Sequence, residues 1–226
     1  MILMISAIPD PAAVAALAAR AEALEWRDGR TTAGPSARGV KRNLQAVMNA
    51  PAARALAGEV QGLLAAHPVL RAAALPRRFS HLLISKTQDG GHYGAHIDNA
   101  VIKAASGEAM RSDVSFTLFL TPPGDYDGGE LVIHSASGTQ EIKGEAGAAV
   151  LYPSGTLHEV RPVTRGQRIV CVGWIESMVA DCAARETLFD LENLRAALRA
   201  RLPLQSEELL TLDKTISNLL RRWAQP

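Results

Sequence analysis

Residues 113–135 read DVSFTLFLTPPGDYDGGELVIHS, and this stretch decides the fold. Two short runs rich in β-branched and aromatic residues flank a middle of prolines, glycines and aspartates, the pattern of strands separated by a turn. The same texture continues through TQEIKGE (139–145), AAVLYP (148–153), LHEVRPV (157–163) and QRIVCVGWI (167–175). Turn signals punctuate these runs at SASGT (135–139), YPSGT (152–156) and VTRGQ (163–167). Short runs at this spacing, with no helices between them, predict an all-β sandwich or barrel over residues 79–178. They argue against a parallel, doubly wound sheet, which needs alternating helices. DYDGGE (125–130) carries three carboxylates but lacks the spaced ligands of a calcium loop, so it reads as a hairpin turn whose glycines permit positive φ.

Outward from the β zone the chain turns helical on both sides, giving an α+β protein in three parts. Residues 1–78 read as an N-terminal helical support region. Asp10 before Pro11 looks like an N-cap with proline at the first helical position, and Val14, Leu17, Ala21 and Leu24 then form one face. A second helix is expected from Pro51, presenting Leu56, Val60, Leu63 and Leu64. Between them RDGRTTAGPSARGVKRN (27–43) is a glycine-rich, basic loop, either a solvated connection or a rim that contacts substrate. Residues 179–226 form a C-terminal helical extension. Leu188, Leu191, Leu194 and Leu198 mark one helix; Leu209, Leu212, Ile216, Leu219 and Trp223 mark another after a break at Pro203. These helices are expected to pack on the flank of the barrel; the alternative is a homo-oligomer interface.

Composition narrows the partners. There are 24 basic and 23 acidic residues, and only 4% of the chain is aromatic, so neither nucleic acid nor a membrane is expected as the main partner. The opening MILMISAIPDP is apolar for too few residues to read as a signal peptide, and no segment approaches a membrane span. Two cysteines, Cys171 and Cys182, suit neither a disulfide framework nor a zinc ribbon and read as reduced thiols, so the expected location is cytoplasmic.

Chemistry enters at HYGAHIDNA (92–100). With six histidines and 10 aspartates in 226 residues, about 0.27 His-x-Asp triplets arise by chance, so His96-Ile97-Asp98 needs support from elsewhere. In an extended segment residues i and i+2 share a face, so His96 and Asp98 would project together. His158, at the mouth of a strand after YPSGTL, is the best third ligand. LHEVRPV, TRG and QRIVCVGW read as a hairpin that returns Arg168 to the neighbourhood of His158. An arginine on an inward face is costly unless it meets an anion, and its fork suits a carboxylate. Two histidines and one carboxylate leave three open positions on a metal, the arrangement favoured by oxygen-using non-haem Fe(II) rather than by a closed structural zinc site. The remaining histidines, His67, His81, His92 and His134, read as surface or supporting residues. Tyr93 faces the pocket or packs at the turn. Trp174 shares the face of Arg168 by strand parity, as core or as pocket lining.

The pattern His96-x-Asp98, His158 and Arg168 resembles the Fe(II)/2-oxoglutarate-dependent dioxygenases. More closely, YGAHID, RSDVSFTLFLTPPGDYDGGELVIH, LYPSGTLHEVRPVTRG and VGWIESMV resemble the bacterial PKHD-type hydroxylases, a group often associated with iron uptake, over essentially the whole chain. The resemblance implies a double-stranded β-helix, or jelly roll, with His96, Asp98 and His158 as iron ligands. It further implies Arg168 on the distal carboxylate of 2-oxoglutarate, with Tyr93 as a further candidate, and no catalytic residue beyond the metal centre. Hydroxylation of a peptide or small-molecule substrate would release succinate and CO2, with L-ascorbate as a further family cofactor. One position departs from the pattern: relatives in the wider prolyl-hydroxylase group usually carry a tyrosine where this chain has Thr87, within SKTQDGG. Two other readings rest on the residues alone. A cupin-like metalloenzyme of another reaction class would use the same ligands without needing Arg168. A non-catalytic jelly-roll protein would keep the metal only as a support.

Overall fold

All six residues of the strand Val114–Phe119 are buried, so layers must cover both of its faces. The computed structural model, which describes residues 1–32, 38–104, 106–136 and 138–225, shows what those layers are. The N-terminal part carries β1 (Leu3–Ser6), α1 (Pro11–Glu22), β2 (Trp26–Asp28), β3 (Lys41–Arg42), β4 (Leu44–Ala46), α2 (Pro51–Ala66), α3 (Pro68–Ala74) and β5 (Pro76–Phe79). The centre holds β6 (Leu83–Gln88), β7 (His92–His96), β8 (Val101–Lys103), β9 (Ala109–Arg111), β10 (Val114–Phe119), β11 (Asp127–Gly128), β12 (Leu131–Ser135) and β13 (Gly138–Ile142). Then follow β14 (Ala148–Pro153), β15 (His158–Val160), β16 (Val163–Arg165), β17 (Gln167–Ser177), α4 (Cys182–Arg199) and α5 (Glu207–Trp223).

Two antiparallel sheets make the jelly roll. The larger runs β1-β14-β10-β17-β6-β4-β2, with β5 beside β17; the smaller runs β13-β12-β15-β7-β3. Period-two alternation then divides each central strand. On β10, Val114, Phe116 and Leu118 turn outward into a cluster with Leu17, Leu56, Val60 and Leu64 of α1 and α2. Phe119 turns inward with Val150, Tyr152 and Val170 to meet Leu131, Ile133 and Ile142 of the smaller sheet. Helices thus cover one face of the large sheet, and the space between the sheets holds a packed end and a cavity.

Several expectations change. The first 78 residues are not only helical: β1, β2, β3 and β4 extend both sheets, because even short segments lower the cost of an exposed edge when they pair with it. The helix α3 was not anticipated; His67 caps it, its Nδ1 accepting from Leu70 N while Nε2 lies 3.2 Å from Ser6 O. Leu63 is 40% exposed, on the outer side of α2. Two expected hairpins are absent. β10 and β12, and likewise β15 and β17, lie in opposite sheets, because the chain crosses the roll between them, whereas β12 and β13 do pair as neighbours in the smaller sheet. The glycine expectation at 128 holds: Gly128 has φ +73°, and a Cβ there would sit 2.0 Å from Pro162 O. Residues 33–37 of the basic loop and Ser137 of SASGT lie outside the described residues.

The N-cap Asp10 accepts from Ala12 N, and Val14, Leu17, Ala21 and Leu24 are buried as expected. In the C-terminal helices Leu188 and Ile216 are buried, with Leu191, Leu212, Leu219 and Trp223 packed against them and against Leu75 and Val179. The leucine faces are in large part covered from within the chain, while Leu194 and Leu210 stay exposed.

Candidate metal and co-substrate site

Between the sheets lies a cavity of about 220 Å³. His96 ends β7, and His158 begins β15 directly opposite it in register. A bulge shifts the pairing so that Val160 meets Tyr93, which brings Tyr93 and His96 onto the same side although they are three residues apart. Their rings stack with centroids 3.6 Å apart. Asp98 lies just beyond the strand end, so strand parity does not extend to it; the loop nonetheless returns its carboxylate to the two histidines. One ligand atom from each of His96, Asp98 and His158 lies within 4.8 Å of the others, and His158 Nε2 is 3.8 Å from Asp98 Oδ2.

The surroundings of these three side chains suit a metal. His96 Nδ1 donates to Gly94 O at 2.8 Å and His158 Nδ1 donates to Thr156 O at 2.9 Å. A carbonyl can only accept, so both rings keep Nε2 as the lone-pair nitrogen. Ser115 Oγ donates to Asp98 Oδ2 at 2.6 Å and contacts Ser154 Oγ at 2.8 Å, which fixes the carboxylate. Burial, and next the adjoining His158, hold the His96 pKa down at about 4, so the ring is neutral and able to ligate near pH 7. Burial pushes the Tyr93 hydroxyl up to about 12, with Asp98 adding to the effect.

The other end of the cavity belongs to Arg168. It pairs in register with Thr87 of β6, and both are 3% exposed. Its guanidinium carbon lies 5.5 Å from the centre of the Phe119 ring, and its Nε has no hydrogen-bond partner among the described residues. Burial lowers its pKa, opposed by the nearby Tyr126 and Tyr152 hydroxyls. A buried cation with an unused donor beside a cavity is a place for an anion.

Some expectations move. Trp174 lines the cavity, as do Val170 and Val172 on the same face of β17, and its Nε1 has no partner among the described residues. His134 lies 3.5 Å from Glu159, and His92 Nδ1 lies 3.3 Å from Gly90 O; neither joins the three-residue cluster. Ser115 and Lys41 are among the lining residues that were missed. Ser115 was signalled by polar residues at 115 and 117 recurring with period two in an apolar strand. Lys41 carried no signal beyond the basic loop. It is 7% exposed, with Nζ 4.9 Å over the Tyr93 ring; burial lowers its pKa to about 8, against the pull of Asp98.

A jelly roll with two imidazoles and a carboxylate at one point, and a buried arginine across the cavity, has counterparts among known proteins. Residues 82–176 match the 2OG-Fe(II) oxygenase superfamily, and residues 183–225 match the PKHD-type hydroxylase C-terminal domain. The chain is therefore a 2-oxoglutarate-dependent Fe(II) dioxygenase, which removes the cupin-like and non-catalytic readings. It resembles a PKHD-type hydroxylase of Hyphomonas neptunium at 49% identity, over 92% of each chain. A PKHD-type hydroxylase of Teredinibacter turnerae is 42% identical over 100% of both. The chain belongs to the PKHD-type hydroxylase family. In solved structures the fold is similar to that of a Pseudomonas putida prolyl-4-hydroxylase, with a TM-score of 0.53 at 24% identity, covering 78% of this chain and 92% of that one.

Proposed function

We propose that His96, Asp98 and His158 hold the ferrous ion and that Arg168, with Thr87 beside it, holds the distal carboxylate of 2-oxoglutarate. The observation that carries this reading is one donor atom from each of the three side chains within 4.8 Å of the others, with both imidazole Nδ1 atoms turned to backbone carbonyls. When bound, iron and 2-oxoglutarate supply the oxidation that uses O2 and releases succinate and CO2 while a C–H bond of the substrate becomes C–OH. The chain does the rest. Ser115 keeps the Asp98 carboxylate turned toward the histidines, and Tyr93 braces the His96 ring by stacking. Val170, Val172 and Leu131 line the wall and exclude water, which strengthens the attraction of Arg168 for a carboxylate. The substrate is a peptidyl or amino-acid-like group or a small molecule that reaches the metal from the mouth. Both cysteines are free, in keeping with a reducing, cytoplasmic setting. No described helix is long and apolar enough to cross a membrane.

Anaerobic titration with Fe(II) and 2-oxoglutarate tests the proposal. A visible charge-transfer band should appear with both present and vanish in His96→Ala. Its absence from the wild-type protein would overturn the assignment.

A further inference from the structure

The chain carries a formal net charge of only +1, yet one cleft gathers a strong surplus of cations. This cleft, about 610 Å³, adjoins the catalytic cavity and shares Lys41 and Asn43 with it. Its walls carry Arg30, Arg38, Lys41, Arg42 and Lys86, against Asp28 and Asp89. Asp28 is clamped by Arg30, whose Nε lies 3.0 and 2.9 Å from its two oxygens, so that acid is already neutralised within the cleft. Arg42 donates to a backbone carbonyl, Asp89 O, at 3.3 Å, and Lys86 Nζ stands 4.2 Å over the Trp26 ring. Neither contact cancels the cation's charge, although Glu22 draws on Lys86 from outside the cleft lining. Arg38 and Arg42 are exposed, while Lys41 is buried where the cleft opens into the cavity.

Charge inside the cavity points the same way. If the site is loaded as proposed above, the ferrous ion, Asp98, the 2-oxoglutarate dianion and Arg168 together balance. Lys41 adds a positive charge at the junction, near Tyr93 and within the field of Asp98. A low-dielectric cavity with a surplus positive charge attracts an anion more strongly than the same charge in water.

We propose that this cleft docks the substrate and selects a small polyanion. Such a molecule carries two or more carboxylate or similar groups: one meets Lys41 at the junction, the others meet Arg38 and Arg42, and the C–H bond to be oxidised is presented to the metal. Cavity and cleft together lie within the roughly 300–1,000 Å³ range of small-molecule sites, which favours a small ligand over a docked protein. The inference rests on the oxygenase reading of the cavity, but it concerns a different surface and is tested separately.

Pyrenetetrasulfonate, a rigid fluorescent polyanion, serves as the probe, with anisotropy read on protein loaded with Fe(II) and 2-oxoglutarate without O2. The wild-type protein should bind it, more weakly as salt rises. The double variant R38E/R42E should bind at least about tenfold more weakly. Charge reversal at the far end of α5, R221E/R222E, should change affinity less than about twofold, because separated exposed charges are screened. Equal weakening in both variants, or none in R38E/R42E, overturns the cleft as an anion site.

The second arm separates a cell extract on an anion exchanger and follows stimulated succinate release. Stimulation should come from the salt-eluted fraction, survive protease treatment and be lost in R38E/R42E. Stimulation from the unretained fraction overturns the polyanion, and loss on protease treatment replaces the small molecule with an acidic peptide. The charge-transfer band in the wild-type protein reports independently on the cavity, so its absence sinks the oxygenase reading whatever the probe does.

Discussion

At the inner end of the cavity Arg168 is 3% exposed, held on an 11-residue strand between β6 and β10 and close to the Phe119 ring. At the mouth Ile97 is 56% exposed, Asp98 lies past the end of its strand, and Lys41 arrives on a two-residue strand from the N-terminal part of the chain. Long, regular strands build the first region, and short, irregular ones build the second. Regular pairing fixes a side chain tightly in a low dielectric, which suits the binding of one invariant co-substrate. Irregular segments vary without disturbing the core, which suits discrimination among substrates. The three proposed metal ligands sit at the seam: His158 and His96 are paired in register, while Asp98 accepts from Ser115.

Breaking the seam should have the largest effect. Asp98→Ala removes the only carboxylate of the cluster and should abolish Fe(II) binding and coupled succinate formation, measured by calorimetry and turnover. Retained iron affinity would place the metal elsewhere. Arg168→Ala comes next and acts on the inner end alone. Truncating one partner of a buried charge pair costs about 2–5 kcal/mol, so the 2-oxoglutarate requirement should rise by about 30-fold or more with iron affinity nearly unchanged. An unchanged requirement would mean that Arg168 is a structural cation.

Smaller effects sharpen the contrast. Ser115→Ala leaves all three ligands but frees the Asp98 carboxylate, so metal affinity should fall by about 10- to 100-fold, the range for outer-shell partners. Equal affinity would show that the loop alone orients Asp98. For the metal-free protein, the His96 pKa is lowered from 6.5 to about 4, chiefly by burial. Between those values the unfolded chain binds the extra proton, so stability is lost as pH falls from 6.5 toward 4. Thermal melts of wild type and His96→Gln at pH 7, 6 and 5 should diverge as pH falls, with the wild type losing more; parallel curves would exclude His96 as the source.

The same contrast explains what the sequence revealed. On β17 the alternation of Arg168, Val170, Val172 and Trp174 along one face is a period-two argument, and it held because the strand is long and paired on both sides. His96, Asp98 and His158 meet as expected, but Asp98 does so through a loop that parity does not describe. The hairpins expected at DYDGGE (125–130) and TRG (164–166) fail because adjacent-strand pairing is a local habit, and at both places this roll carries the chain to the opposite sheet, whereas β12 and β13 do pair. β1 through β4 were hidden for a related reason: two- to four-residue strands have no period to detect, and only the exposed edge they complete explains them. Lys41 was lost with them, since a single lysine in a basic loop looks like solvated charge until β3 carries it against Tyr93.

The mildest test concerns Thr87, where the wider prolyl-hydroxylase group usually has tyrosine. Thr87 lies directly across from Arg168, 3% exposed, and lines the cavity. Thr87→Val keeps the shape and removes only the hydroxyl. If that hydroxyl donates to the distal carboxylate beside the guanidinium, its loss costs about 1 kcal/mol, or about fivefold in 2-oxoglutarate affinity. Because the guanidinium remains, the effect must stay well below that of Arg168→Ala and vanish in the Arg168→Ala background, where the carboxylate is no longer held in place. An additive loss in the double variant would instead mean that Thr87 acts on the packing of the inner end rather than on the anion.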